Sequence, residues 1–192
     1  MKKFTLNSRE VAIAAALAAL SATVQLIHIG YQSPQWGMWI DVVAVSWIIA
    51  YFLFGISSSL LVSLVGAVII TLFAPDTWLG ASMKFVATVP IALSLFLWTM
   101  WRKKQLSHWA KPLHIVIPLM VGIVARCLIV LPLNYYYAIP IWTGMSPSQA
   151  MMAIPWFIIV AFNVVQSIVD VGLAWVIVYR FKLNRFSRGQ TE

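Results

Sequence analysis

Three polar side chains lie near one another in an otherwise hydrophobic segment close to the carboxyl end of the chain. The segment FNVVQSIVDVG, residues 162–172, contains Asn163, Gln166 and Asp170. In a helix, with about 100° of rotation per residue, these side chains fall within roughly 60° of arc and form one polar stripe. Two amides and a carboxylate can donate and accept several hydrogen bonds. Because apolar residues flank the stripe, we predict that it faces something other than lipid or open water.

Four ionisable residues lie inside or at the start of hydrophobic segments. They are Asp41, Lys84, Arg126 and Asp170, two negative and two positive. A charged group within a membrane span costs about 2.5–3.5 kcal/mol on insertion scales, so it usually has a partner or a function. Two interpretations stay open from the sequence. The four residues form two internal ion pairs, Asp41 with Lys84 and Arg126 with Asp170, or some of them line a solute pocket.

Aromatic residues offer a second type of binding chemistry. Asn134 directly precedes three tyrosines, Tyr135 to Tyr137, and Trp39 stands close to Asp41. Ring faces beside an amide suit a planar heterocycle, which can stack and hydrogen-bond at its edge. An interfacial belt of aromatic residues in a membrane is the alternative. The wider group of aromatic residues at the same predicted side comprises Tyr31, Trp36, Trp78, Trp142 and Trp156.

Motifs for catalysis or metal binding are absent from the sequence. It contains no HExxH, GxSxG or phosphate-binding P-loop, and Cys127 is its single cysteine. The three histidines, His28, His108 and His114, are expected to lie apart and at different depths. We therefore predict no catalytic site, no metal site and no cofactor, and a protein that is not an enzyme. If the chain moves a solute uphill, the energy must come from an ion gradient or from partner proteins.

The composition indicates the environment in which these residues lie. Of the 192 residues, 62% are hydrophobic and only 9% are charged, whereas soluble domains carry about 25% charged residues. A membrane-crossing helix needs about 20 mostly apolar residues. We predict an all-α membrane protein in which residues 1–192 form a single bundle of six transmembrane helices. The predicted spans are roughly 9–29, 39–54, 57–74, 81–101, 113–133 and 150–180.

The distribution of basic residues predicts the orientation of the bundle. The net charge is +8, yet the basic residues form no compact face of the kind that binds nucleic acid. Eleven of the 13 Lys and Arg residues precede the first span, follow the sixth, or lie between the fourth and fifth. The loops at 30–38, 75–80 and 134–149 contain none. By the positive-inside rule, both termini of this multi-pass protein of the cell membrane are cytoplasmic.

The first predicted span is rich in alanine at a spacing of four residues. Two of the possible pairs are Ala14 with Ala18 and Ala15 with Ala19. Small residues at this spacing let two helices approach closely in lipid. The alanines are therefore expected either to pack inside the bundle or to dock onto another membrane subunit. Because alanine covers nearly the whole circumference, the sequence does not select one pair.

Together these residues resemble the S component, or substrate-binding subunit, of an energy-coupling factor (ECF) vitamin transporter. The alanine-rich first helix resembles the family's AxxxA face. The segments MWIDVVAVSWIIAYFLFG, residues 38–55, and GASMKFVATVP, residues 80–90, resemble parts of its second and fourth helices. The resemblance implies a six-helix membrane subunit that captures a vitamin from outside. It also implies a transmembrane T component, which the alanine face contacts, and two cytoplasmic ATPases.

Within this family the chain is most similar to the riboflavin-binding branch. That branch has an Asn on the last helix, a Lys three positions later, and an Asn before the loop that joins the fifth and sixth helices. Asn163 and Asn134 match the two asparagines, and Gln166 replaces the lysine, which suits a neutral heterocycle. The resemblance implies riboflavin or a related vitamin as the transported ligand. We expect it to bind at Asn134, Asn163, Gln166, Asp41, Lys84, Trp39 and Tyr135.

Three other functions remain open at this stage. The chain could be an S component for thiamine or a modified-base precursor. It could instead be an autonomous ion-coupled carrier that uses Asp41 or Asp170 as a proton site. A membrane assembly factor without a solute is the third possibility.

Overall fold

Eight α-helices and one β-hairpin make up the computed structural model, which describes residues 8–27, 29–73 and 78–187. Two π-helical segments, Asn134–Ala138 and Val176–Arg180, extend α5 and α8, and two 3₁₀ turns are Leu106–Ala110 and Leu183–Phe186. The main elements are α1 (Ser8–Ile27), β1 (Gly30–Gln32), β2 (Trp39–Asp41), α2 (Val43–Phe54), α3 (Ile56–Phe73), α4 (Trp78–Trp101), α5 (Leu113–Leu133), α6 (Ile139–Thr143), α7 (Pro147–Ala153) and α8 (Trp156–Trp175).

Five helical segments of the described chain are long and apolar enough to cross a membrane. They correspond to the first, third, fourth, fifth and sixth predicted spans. The predicted second span differs, because α2 has only 12 residues, a length of about 18 Å at 1.5 Å per residue. The five segments are Ser8–Ile27, Ile56–Phe73, Trp78–Trp101, Leu113–Thr143 and Trp156–Arg180.

Helix α2 forms the centre of the bundle. All twelve of its residues are buried, as expected for a helix that is hydrophobic on every side. It packs against α1, α3 and α8, while α4 packs along α5. Small residues permit the close contacts: a Cβ added to Gly66 of α3 would come within 2.5 Å of Ser21 Oγ and 3.1 Å of Trp47 Nε1.

The described residues are mostly helical, as predicted, and the hairpin departs only from the predicted bounds of the second span. Residues 39–41, assigned from sequence to the second span, form β2, which pairs antiparallel with β1 from Gly30 opposite Asp41 to Gln32 opposite Trp39. A Cβ on Gly30 would lie 2.4 Å from Ile40 O, so the strands approach closely only because this residue is glycine. Three-residue strands are too short for their alternation to be distinguished from the start of a helix.

The region predicted as an outer loop, residues 134–149, is also different in the structure. Its first ten residues continue α5 as the π-helical segment and α6, and the helix ends at Gly144, which has φ +73°. Helix α7 then begins with a capping box between Ser146 and Gln149. The predicted sixth span, residues 150–180, is interrupted at Ile154 and Pro155, since proline supplies no backbone N–H to continue the helix.

A candidate ligand-binding cavity

A cavity of about 370 Å³ lies among the hairpin, the first turns of α4, the middle and end of α5, and the first half of α8. Its volume is within the usual range for small-molecule sites, about 300–1,000 Å³. Six of the seven residues expected to bind substrate line it: Trp39, Asp41, Lys84, Asn134, Asn163 and Gln166. The structure thus brings together side chains from distant parts of the sequence, such as Asp41 and Gln166, which are 125 positions apart.

Asp41 and Lys84 form one of the two ion pairs considered from the sequence. Lys84 Nζ donates to Asp41 Oδ2. The other carboxylate oxygen accepts a hydrogen bond of 2.9 Å from the backbone N–H of Val43, the first residue of α2. Asp41 therefore also stabilises the amino end of the central helix, where backbone N–H groups lack partners within the helix.

Arg126 and Asp170 form the second pair, deeper in the bundle. Arg126 Nη1 lies 3.7 Å from Asp170 Oδ2, which is an electrostatic contact rather than a hydrogen bond. Arg126 Nε donates to Asn163 Oδ1 at 2.8 Å. Neither Arg126 Nη1 nor Asp170 Oδ2 has a hydrogen-bond partner among the described residues. Arg126 is 5% exposed and lines the cavity, while its Nη1 atom is buried.

Gln166 connects the two ion pairs. Its Oε1 accepts from the Asp41 backbone N–H at 2.9 Å, and its Nε2 donates to Asp41 O at 2.8 Å. The second Nε2 hydrogen reaches Asp170 Oδ1 at 2.7 Å. Both donors of the amide are therefore used within the protein. Asn163 and Gln166 of the polar stripe line the cavity, whereas Asp170 is buried beside Arg126 and does not. Gln166 holds the hairpin against α8 and positions Asp41.

The two asparagines retain hydrogen-bonding capacity. Asn134 donates through Nδ2 to Val130 O at 2.9 Å, and its carbonyl oxygen and second N–H make no hydrogen bond with a described residue. Asn163 donates to Ile159 O at 2.8 Å and accepts from Arg126, which leaves one N–H. Of the two asparagines, Asn134 thus has the greater capacity for a ligand.

Tyr135 is the expected site residue that does not line the cavity. It is buried in a small cluster with Val130, Ile139 and Ile159, and its hydroxyl donates to Ile154 O at 2.8 Å. That hydrogen bond fixes the break between α7 and α8. Tyr135 therefore packs behind the residues that line the cavity and supports them, and its ring does not contact the cavity.

Several lining residues were not singled out by the sequence as site residues. Trp36 and Trp142 belonged only to the wider aromatic group, and Phe162 was visible solely as the neighbour of Asn163. Trp142 lies directly over the hairpin, because a Cβ on Gly37 would come within 2.5 Å of its ring. The apolar lining residues Met38, Leu79, Met83, Ala87, Ala138, Ile139, Ile154 and Ile159 carried no sequence signal that separates them from ordinary packing.

The alanines of α1 divide into two faces. Ala14 and Ala18 are buried against α2 and α3, whereas Ala15 and Ala19 are exposed. The Ala14/Ala18 pair is therefore part of the internal packing. This placement leaves Ala15 and Ala19 as the candidate docking face.

No protein-family model and no curated protein matches the sequence. A solved structure of a protein described as the S component of a bacterial ECF transporter is similar to this chain, with a TM-score of 0.71 and 19% sequence identity. The match covers 94% of this chain and 98% of the other. The fold of the chain is therefore that of an ECF transporter S component, which confirms the resemblance at the level of the fold.

Proposed function

We propose that this protein is the substrate-capture subunit of an ECF-type importer and binds riboflavin or a related small vitamin from outside the cell. The observation that carries the proposal is the position of the cavity. Within an S-component fold, a cavity of about 370 Å³ contains amides with open hydrogen-bonding capacity beneath a hairpin rich in tryptophan. The protein binds its ligand without chemical change and acts as a transporter subunit rather than an enzyme.

The charges around the cavity favour a neutral ligand. Asp41 is paired with Lys84 and Asp170 with Arg126, so the four formal charges sum to zero. A ligand with a net charge would lack a counterion, which is costly in a buried site. The open N–H groups of the two asparagines instead suit carbonyl oxygens or ring nitrogens.

The aromatic rings favour a planar ligand. Trp36, Trp39 and Trp142 lie at the hairpin side of the cavity, and Phe162 lies on the α8 side. Aromatic rings on two sides of the cavity can stack on the faces of a flat heterocycle, while the amides form hydrogen bonds with the polar atoms at its edge. A flavin ring system has this combination of a flat face and a polar edge.

The orientation of the bundle follows from where the basic residues lie relative to the cavity. Lys84 lines the cavity near the start of α4, and Arg102 follows the end of the same helix, about 27 Å away at 1.5 Å per residue. By the positive-inside rule the Arg102 end is cytoplasmic and the cavity opens to the outside. Both termini are then cytoplasmic, with α2 as the shortest of six spans.

The exposed side of α1 is the proposed contact with the T component. Ala15 and Ala19 present small side chains at a spacing of four residues, which permits close helix approach in lipid. Two cytoplasmic ATPases bound to the T component would supply the driving force. The chain itself contains no P-loop.

Binding of riboflavin to the purified full-length protein tests the proposal. Quenching of flavin fluorescence gives the affinity, and mass spectrometry identifies any small molecule that co-purifies. Asn134→Ala should weaken binding, whereas Asn184→Ala, at the opposite end of the bundle, should not. Binding of thiamine but not riboflavin would redirect the proposal to another vitamin. Uptake that persists without any ATPase would contradict it and favour an ion-coupled carrier.

A further inference from the structure

A second depression, separate from the ligand cavity, runs along the outer surface between α4 and α5. Its volume is about 700 Å³. Leu93, Leu97 and Val121 form its more exposed sides, and Ser94 and Ala125 lie lower between them. Among the described residues that line it, Ser94 alone carries a hydroxyl, and that hydroxyl donates to Ile91 O at 2.8 Å. The groove is therefore suited to hydrocarbon.

Close packing of the two helices fixes the depth of this groove. A Cβ on Gly122 would lie 2.5 Å from Ser94 Oγ and 3.1 Å from Ile91 Cα, so α4 and α5 touch at this point. The groove extends along α4 from Phe85 to Trp101, about 24 Å at 1.5 Å per residue. One leaflet of a bilayer contributes about half of the ~30 Å hydrocarbon core. A phospholipid acyl chain therefore fits along it.

One end of the groove carries a concentration of positive charge. The Arg102 guanidinium lies over the rings of Trp98 and Trp101, at 5.2 and 4.8 Å from their centroids, and both rings line the groove. Lys103 and Lys104 follow and are exposed. None of these three basic residues forms an ion pair with a described residue, and no Asp or Glu occurs between residues 77 and 169.

The positive potential at this end extends to the neighbouring 3₁₀ turn. His108 and His114, expected from the sequence to lie apart and at different depths, stack with their ring centroids 4.0 Å apart. The pKa of His108 is lowered, first by desolvation and then by electrostatic interaction with His114, Lys104, Arg102 and Lys111. An anion at this surface would relieve the repulsion among these groups. The end of the groove thus complements a negatively charged headgroup.

We propose that the α4–α5 groove binds an anionic phospholipid, with one acyl chain in the groove and the phosphate at Arg102, Lys103 and Lys104. The tryptophans hold the guanidinium at the level where the chain meets the headgroup, which is their usual depth in membranes. Basic residues next to a span attract anionic lipid independently of any transported ligand. The site is separate from the vitamin cavity and does not rest on the proposed function.

Native mass spectrometry of the full-length protein in detergent tests this site. The probes are phosphatidylglycerol and phosphatidylcholine with identical acyl chains. We expect phosphatidylglycerol to bind several-fold more tightly. The variant Arg102→Gln/Lys103→Gln/Lys104→Gln should lose this preference, and the control Lys182→Gln/Arg185→Gln, which removes charge elsewhere at the cytoplasmic side, should keep it. The proposal would be overturned if the unaltered protein bound the two lipids equally, or if both variants lost the preference for phosphatidylglycerol to the same extent.

The groove itself is tested by filling it. Val121→Trp and Leu97→Trp place a ring in it at positions that are 55% and 59% exposed, so neither disturbs the core. Both should weaken binding of the two lipids, as judged on variants that elute as folded monodisperse protein. Unchanged lipid binding in both would contradict the site. A protein partner is the alternative occupant of the groove. If such a partner protected the Val121→Cys variant from labelling and phosphatidylglycerol did not, the groove would be assigned to that partner instead.

Discussion

Among the amides that line the cavity, Asn134, Asn163 and Gln166 differ in the hydrogen bonds that they already make. Gln166 uses both N–H groups within the protein, Asn163 has one N–H left, and Asn134 has an N–H and its carbonyl. Sequence spacing placed Asn163 and Gln166 on one stripe correctly. It could not separate a residue that binds a ligand from one that holds the hairpin, since that difference depends on the backbone of Asp41, 125 positions away.

The amides should therefore respond differently to alanine substitution. Asn134→Ala should weaken riboflavin binding by about 0.5–1.5 kcal/mol, the usual net value of one hydrogen bond, without lowering the melting temperature. Asn163→Ala should cost more, because it also leaves Arg126 Nε without its acceptor. Gln166→Ala should lower the melting temperature as well as the affinity, since it strands the buried N–H of Asp41. Fluorescence titration and thermal unfolding in detergent measure the two effects. A Gln166→Ala protein as stable as the unaltered one would contradict the positioning role.

Gly37 offers a test of the contact between the hairpin and Trp142. It has φ +63°, and a Cβ there would come within 2.5 Å of the Trp142 ring. Gly37→Ala should displace that ring and weaken ligand binding, in addition to a backbone cost of about 1–2 kcal/mol. Gly144→Ala is the matched control, because Gly144 has φ +73° with nothing within 4 Å of an added Cβ. The two variants should be similarly destabilised, and only Gly37→Ala should lose affinity. Equal affinities would show that Trp142 does not shape the site.

At the scale of elements, long apolar helices were predictable and irregular segments were not. The spans that became α1, α3, α4 and α5 agree with the sequence prediction to within three residues at each end. The hairpin was missed because its strands have three residues each, and the continuation of α5 past residue 133 was missed because Asn and Tyr usually indicate a loop or interface. The face of α1 that packs inward was also hidden, since alanine occurs on every side of that helix.

The two alanine faces of α1 should now give opposite results. Ala15→Trp and Ala19→Trp should leave riboflavin binding by the purified protein intact but abolish uptake in cells that contain the T component and ATPases, because a ring holds the helices apart. Ala14→Trp and Ala18→Trp should impair folding and binding together, since both alanines are at most 4% exposed. Val116→Trp, on the exposed surface of α5, serves as the control and should preserve uptake. Transport that survives in both exposed-face variants would remove α1 as the docking surface.

At the scale of the whole molecule, Lys84 and Arg126 line the cavity, and the other described basic residues lie toward the opposite end of the bundle. The sequence predicted this grouping, because the distribution of Lys and Arg follows simple electrostatic rules that do not depend on packing. The orientation in the membrane stays a prediction. The existence of a cavity could not be predicted in the same way. Its walls come from the hairpin, α4, α5, α6 and α8, and many of its lining residues are ordinary apolar side chains.

The orientation is tested by labelling single cysteines in intact cells. On a Cys127→Ser background, Gln32→Cys in the exposed hairpin should react with a membrane-impermeant maleimide. Ser187→Cys, after α8, should react only once the cells are opened. The residue replaced by cysteine is exposed or partly exposed at each position. A cysteine that does not react in intact cells therefore lies on the cytoplasmic side of the membrane and is not simply buried in the protein. Labelling of Ser187→Cys from outside would reverse the orientation.

The complete enclosure of α2 has a consequence for how the protein is made. Helix α2 is about 18 Å long, which is too short to cross the ~30 Å hydrocarbon core on its own. In a nascent chain that ends after α2, this helix should therefore not yet span the bilayer. Since α2 packs against α3 and α8 as well as α1, its final placement must await later segments, including the last helix. Glycosylation mapping of truncated nascent chains can follow this order of insertion. If α2 integrated stably before α3 emerged, packing against the later helices would not be what determines the position of α2.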